Sequence, residues 1–185
     1  MQNKFIYLCL CLVSIFMFCL PTLAAYEKSV DGVYWDKKLI TSADANSFVP
    51  ITETYAKDKN YVYYNGSIIK KADPKTFTTS FFPYFKDNKY VYRFENVVIG
   101  ADPKTFTNIN YTYTRDKKHI YCDGNLLKDS DNKSFKVLIK NFFDDGYAKD
   151  KKHVYYQCQI VRGADPKTFI LTDSGYPQDK KKCFL

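Results

Sequence analysis

Ala72-Asp73-Pro74-Lys75-Thr76-Phe77 decides how this chain is read, because the same six residues return at Ala101 to Phe106 and at Ala164 to Phe169. Weaker copies stand at Ala43-Asp44-Ala45-Asn46-Ser47-Phe48 and at Ser130-Asp131-Asn132-Lys133-Ser134-Phe135. The closing rings Phe48, Phe77, Phe106, Phe135 and Phe169 are therefore 29, 29, 29 and 34 residues apart. A fixed period of this size is the signature of a tandem-repeat protein. Within the hexapeptide, proline presets the φ of a turn and the aspartate side chain accepts from nearby backbone N–H groups. Asp73-Pro74, Asp102-Pro103 and Asp165-Pro166 are thus expected to be structural corners, each a short 3₁₀ turn capped by its Asp. Residues preserved to build a unit say little about chemistry. The lysine after each proline and the lack of a Gly-rich calcium repeat argue against a calcium-binding Asp ladder.

Outward from the corner, each unit opens on a tyrosine: Tyr26, Tyr55, Tyr84, Tyr113, Tyr147 and Tyr176. Three residues later comes Asp58, Asp87, Asp116, Asp150 or Asp179, with Ser29 in the first unit. Asp58-Lys59-Asn60 between tyrosines reads as a tight hairpin. Then comes Tyr61-Val62-Tyr63-Tyr64, echoed by Gly32-Val33-Tyr34-Trp35, Tyr90-Val91-Tyr92-Arg93, His119-Ile120-Tyr121-Cys122, His153-Val154-Tyr155-Tyr156 and Lys182-Cys183-Phe184-Leu185. Such β-branched and aromatic density favours strands. Alternation places the Val/Ile series on one face and the Tyr series on the other, so both faces are in use. Asn65-Gly66 and Asp123-Gly124 supply hairpin turns. The returning strand carries an apolar pair: Leu39-Ile40, Ile68-Ile69, Val97-Val98, Leu126-Leu127 and Ile160-Val161.

The expected fold is mainly β: tandem three-stranded antiparallel β-meander repeats with a period of 29 in an open, solenoid-like stack, with propeller-like closure as the alternative. A unit this small hides too little apolar surface alone, so stacking must supply the rest. The units run at about 26–54, 55–83, 84–112, 113–146 and 147–175, with a partial one at 176–185, in a single domain over 26–185.

Residues 1–25 read as a cleavable export signal: Lys4, an apolar run from Phe5 to Leu20, Pro21, then Thr22-Leu23-Ala24-Ala25. That apolar run is short for a bilayer span, so no retained transmembrane segment is expected. The expected location is the periplasm, the outer surface or the medium. The chain carries a formal net charge of +8 and stays basic once Lys4 is lost with the leader.

The stretch from Tyr55 to Gly66, followed by Ala72 to Phe77, resembles the bacterial DKNYY repeat family, as does Tyr147 to Phe169. The resemblance extends at lower fidelity over the whole mature chain. It implies exported or envelope proteins built of tandem repeats, with no catalytic residues to carry over. The first unit departs most, with Ser29 for Asp and Ala45 for Pro, as a capping repeat would.

Residue chemistry offers few alternatives to a binding or structural role. His119 and His153 share a slot filled elsewhere by Tyr61, Tyr90 and Lys182, whereas a general base or metal ligand needs fixed partners. No Ser-His-Asp set, phosphate loop or metalloprotease motif is present, and Asp144-Asp145 are adjacent loop residues that cannot flank a bond from two sides. No cofactor or metal is expected. Cys122, Cys158 and Cys183 form an odd set after export, with Cys158–Cys183 and Cys122–Cys158 both open as pairings. Even spacing within the repeat would put all three on one face.

The basic residues cluster at one end. Lys57, Lys59, Lys86, Lys89, Arg115, Lys117, Lys118, Lys149, Lys151, Lys152, Lys180, Lys181 and Lys182 flank the hairpin aspartates, forming either solvated turns that guard strand edges or a ridge for an anionic envelope polymer. The insertion before Gly146 adds Phe142 and Phe143, a candidate contact for another envelope protein if it bulges out of the stack and simply core if it tucks under the next unit. Nucleic acid is disfavoured by export. An envelope-directed hydrolase or inhibitor with an unlocated groove is the alternative function.

Overall fold

The computed structural model describes residues 25–138 and 146–184. Residues 1–24 of the expected leader, with Phe142, Phe143, Asp144 and Asp145, lie outside the described residues. Among those residues the chain is all β, and no helix is long and apolar enough to cross a membrane.

Every sheet is an antiparallel meander whose neighbours in space are neighbours in sequence. The first holds β1 (Tyr26–Ser29), β2 (Gly32–Trp35) and β3 (Lys38–Leu39). The second holds β4 (Val49–Pro50), β5 (Tyr55–Lys57), β6 (Val62–Tyr64) and β7 (Ser67–Ile68). The third repeats it with β8 (Thr78–Phe81), β9 (Tyr84–Lys86), β10 (Val91–Arg93) and β11 (Asn96–Val97). The fourth follows with β12 (Thr107–Asn108), β13 (Tyr113–Arg115), β14 (Ile120–Cys122) and β15 (Asn125–Leu126). The fifth has β16 (Lys136–Val137), β17 (Tyr147–Lys149), β18 (Val154–Tyr156) and β19 (Gln159–Ile160), and the last β20 (Ile170–Leu171) and β21 (Pro177–Gln178).

The internal sheets thus have four strands, one more than the three-stranded unit expected. The extra strand follows each closing Phe and pairs with the next unit's opening strand: Val49 faces Lys57, Thr78 faces Lys86, Thr107 faces Arg115 and Lys136 faces Lys149. Structural units therefore begin several residues before the sequence units. Val-Pro, Thr-Asn and Lys-Val are too short and dissimilar to carry a period-2 signal.

The core sits between sheets. Tyr55, Val62, Ile69 and Phe77 of the second sheet and its corner pack against Phe85 and Tyr92 of the third. Tyr84, Val91, Val98 and Phe106 receive Tyr121, and Tyr113, Ile120, Leu127 and Phe135 receive Ala148 and Tyr155. The second to fifth sheets each bury the Val/Ile face under the next unit and the Tyr face over the previous one, whereas Tyr34 of the first sheet has no unit before it and stays partly exposed. Tyr55 stacks on Phe85 at 3.8 Å between centroids, and Phe77 lies parallel to Phe85 at 5.6 Å. At about 1.5–3 kcal/mol per buried large side chain, contacts with a neighbour outweigh anything one meander can bury alone. None of the clusters among the described residues joins the first sheet to the last, so the stack is open and propeller closure is not formed.

Candidate functional site

The Asp-Pro corner is a single short turn closed by both an i→i+3 and an i→i+4 backbone bond. Thr76 N and Phe77 N both donate to Asp73 O, at 3.2 and 2.9 Å, while Asp73 Oδ1 accepts from Lys75 N and Oδ2 from the Thr76 hydroxyl. The i→i+4 bond to Phe77 ends the turn and lets the ring drop into the interface. Asp102 and Asp165 repeat the arrangement.

The corner also grips the following unit. Asp73 N donates to Asp87 Oδ2 at 3.1 Å, and Asn88 N donates to Thr76 Oγ1 at 3.3 Å. Asp87 in turn accepts from Lys89 N, Tyr90 N and the Tyr92 hydroxyl, each at 2.7 Å. Asp58, Asp116 and Asp150 hold the same four donors: two backbone N–H groups from their own hairpin, one Tyr hydroxyl and one backbone N–H of the preceding corner. Asp179 lacks the hydroxyl because Phe184 fills the Tyr slot. Each of these five aspartates is no more than 8% exposed. For Asp58, burial pushes the carboxyl pKa up, but the N–H groups of Asp44 and Tyr61 and the Tyr63 hydroxyl outweigh it, so the net direction is down. Asp87, Asp116 and Asp150 balance the same way. In exchange, burial and the carboxylate push the Tyr92 hydroxyl up.

This carboxylate network went unread in the sequence, where the hairpin Asp registered only as a turn former. The signal is an Asp held three residues after each opening Tyr from the second unit on, and five before the inner Tyr of units two to five.

The basic cluster divides in two. Lys57 Nζ donates to Pro74 O at 2.9 Å, Lys86 Nζ to Pro103 O at 3.0 Å, Arg115 to Phe135 O at 3.3 Å and Lys149 Nζ to Phe169 O at 2.6 Å. These four precede the hairpin Asp and tie down their own unit's corner, so they leave the ridge. Burial pushes Lys149 down, with the Lys136 charge second. The residues after the Asp point outward: Lys89, Lys117, Lys118, Lys151, Lys152, Lys180, Lys181 and Lys182 are exposed, as are Lys75, Lys104, Lys133 and Lys167 on the adjoining corners. Lys59 pairs with Asp44 at 2.7 Å and Lys151 with Asp131 at 2.9 Å. Hydrogen bonds from Ser134 and Lys151 hold the Asp131 carboxyl down at about 2. A groove of about 500 Å³ opens at this end between Thr76, Thr78, Lys86, Asn88, Pro103 and Lys104.

Along the ridge runs the slot of Tyr61, Tyr90, His119 and His153, each set edge-on to the inner tyrosine two residues later. His119 Nδ1 lies 3.4 Å from the Tyr121 hydroxyl and 3.6 Å from Asp116 Oδ1. His153 repeats the tyrosine contact at 3.3 Å.

Cys122 and Cys158 are joined, with Cα atoms 5.5 Å apart, and Cys183 is free and exposed. The sulfurs do not share a face of regular strands. Cys158 sits in the turn between β18 and β19 with φ +66, which turns its side chain back toward the previous unit. Cys122, Asp123 and Cys158 bring their donor atoms within 4.8 Å of one another, but sulfurs bonded to each other offer no thiolate to a metal.

No curated protein and no solved structure matches the chain. The DKNYY family model matches residues 3–96, 84–144 and 131–185, three overlapping copies that run through every repeat described above. With that span and this recurring architecture, the chain belongs to the DKNYY family.

Proposed function

We propose that this protein is a non-catalytic, exported binding module of the bacterial cell envelope whose basic hairpin end holds an anionic envelope polymer. One observation carries the reading. In every Asp-Lys hairpin after the first unit the acid turns inward and is spent on hydrogen bonds, while the lysines after it face water. A sequence that alternates acid and base thus presents mostly cation at its surface, repeated once per sheet. Sheets packed face to face are spaced at about 10 Å, so a linear polyanion lying along the ridge meets a new set of lysines at each step. Tyr61, Tyr90, His119 and His153 add flat surfaces beside the charges.

The test is cosedimentation of the processed protein with envelope fragments and with synthetic polyphosphate at low and physiological salt. Binding should weaken as the screening length falls to about 8 Å, and replacing Lys151, Lys152, Lys180 and Lys181 by Gln should weaken it at both salts. Binding indifferent to salt and to those four changes would sink the proposal.

A further inference from the structure

We propose that Cys122–Cys158 is an exchangeable disulfide, attacked at Cys158 by a small thiol that enters a groove between the fourth and fifth sheets, and that its cleavage loosens that junction alone.

The position of the bond within the repeat carries the argument. At the first junction Trp35 rests on Gly66, where an added Cβ would lie 2.7 Å from Trp35 Cβ. At the second, Tyr64 faces Phe94 with ring centroids 5.9 Å apart. At the third, Arg93 covers Gly124 and its guanidinium binds Asp123 O at 3.0 Å and Asp123 Oδ1 at 2.9 Å. In each case a bulky side chain of one sheet plugs the turn of the next. At the fourth junction these slots hold Cys122 and Cys158, so two small residues and one covalent bond stand where a plug stands elsewhere.

Access is one-sided. Cys122 is 1% exposed and belongs to the core cluster, whereas Cys158 is half-buried and lines a groove of about 540 Å³ with Leu126, Lys128, Gln159, Ile160 and Arg162. The groove lining carries two cations, Lys128 and Arg162, against one anion, Asp129, a net positive charge that favours an incoming thiolate, while the nearby Asp123 carboxylate, 3.7 Å from the Cys158 sulfur, is already paired with Arg93. The thiolate attacks Cys158 Sγ, forming a mixed disulfide and expelling Cys122 as a thiolate that takes a proton from water. A second thiolate then attacks the reagent's sulfur in the mixed disulfide and releases Cys158. The reductant is a low-molecular-weight thiol or dithiol, oxidised to its own disulfide.

The experiment uses the processed chain with Cys183→Ser, which removes the exposed competing thiol. It is incubated under native conditions with reduced glutathione, quenched in acid and mapped by peptide mass. The expected adduct is on Cys158 and not on Cys122. Full reduction with dithiothreitol should then raise amide exchange by about tenfold or more in β14 to β19, leaving β5 to β11 unchanged. A Cys122→Ser/Cys158→Ser variant should match the reduced protein. An adduct on Cys122, a bond that yields only in denaturant, or exchange that rises uniformly or not at all would overturn the proposal. So would a double variant that does not fold, since the bond would then be a condition of folding and not a local latch.

Discussion

Replacing Asp87 by Asn tests the network on which the stack rests. The change keeps the shape of the side chain and removes its charge. One oxygen is left to serve Lys89 N and Tyr90 N, while an amide NH₂ stands where Oδ2 accepted from Asp73 N and Tyr92 Oη. Tyr92 has a second acceptor in Lys71 O at 3.0 Å, so its hydroxyl is not orphaned. The Asp73 N–H is, because a donor now faces a donor. One buried unsatisfied donor costs about 1–3 kcal/mol, and exchanging charged for neutral acceptors at the other bonds adds about 1 kcal/mol. The expected loss is about 2–4 kcal/mol, against about 3–5 kcal/mol for Asp87→Ala, which also opens space. Equilibrium urea unfolding followed by tyrosine circular dichroism measures it. Asp179→Asn is the internal control: that carboxylate accepts from three backbone donors and no Tyr hydroxyl, so its loss should be smaller. A loss under about 0.5 kcal/mol at Asp87, or a larger loss at Asp179 than at Asp87, would refute the reasoning.

The same carboxylates set the acid limit. Their pKa values are lowered from 3.8 in the folded state, so their contribution is complete above that value and is lost as pH falls through the folded value. Unfolding free energy should be nearly flat from about pH 7 to 5 and fall steeply below about pH 4; a plateau that persists to about pH 2 would contradict the assignment. Gly66→Ala combines a φ of +75 with a Cβ 2.7 Å from Trp35, whereas Gly100→Ala has a φ of +83 and open space around it. Thermal melts should show a loss of about 1–2 kcal/mol for Gly100→Ala from backbone strain alone and a distinctly larger one for Gly66→Ala. Alkylation of unfolded, unreduced residues 26–185 should label Cys183 alone, with Cys122 and Cys158 released only by reductant.

Much of this architecture was legible because a repeat averages its own noise. Five copies of the Phe closing a corner fix the period, and five copies of Val-Tyr or Ile-Tyr fix a strand, with both faces buried in all but the first, where Tyr34 stays partly exposed. The fourth strand was hidden for the converse reason: Val49–Pro50, Thr107–Asn108 and Lys136–Val137 are held by backbone pairing to the next unit's opening strand, and such pairing leaves side chains free to vary. The split within the basic cluster was equally invisible. Lys57 and Lys59 are two residues apart and chemically alike, yet one reaches back to Pro74 O while the other pairs with Asp44 at the surface. Only the direction of each side chain from the hairpin separates them. The disulfide could have been chosen from its slots: Trp35 to Gly66 and Arg93 to Gly124 are both 31 residues apart, and adding the insertion of five gives the 36 between Cys122 and Cys158.

Charge and stability are coupled in this fold, and that constrains how its function can be tested. Turning a hairpin Asp inward contributes to cohesion through its hydrogen bonds and strips the surface of the anion that would offset Lys89, Lys118 or Lys152. Neutralising such an Asp would raise net positive charge and unfold the junction together, so a binding change seen in an Asp variant has two causes that cannot be parted. The outer lysines are the clean handle. Lys152 has its carboxylate neighbour Asp150 committed to four donors, the backbone N–H of Lys152 among them, and its Nζ reaches Asp129 O at 3.4 Å. Lys152→Gln should therefore leave the urea midpoint within the range of ordinary surface changes, about 0.5 kcal/mol, while measurably reducing retention on polyphosphate at low salt. If that variant lost stability and not affinity, the lysines after the aspartates would be parts of the scaffold, and the ridge would have no claim to a ligand.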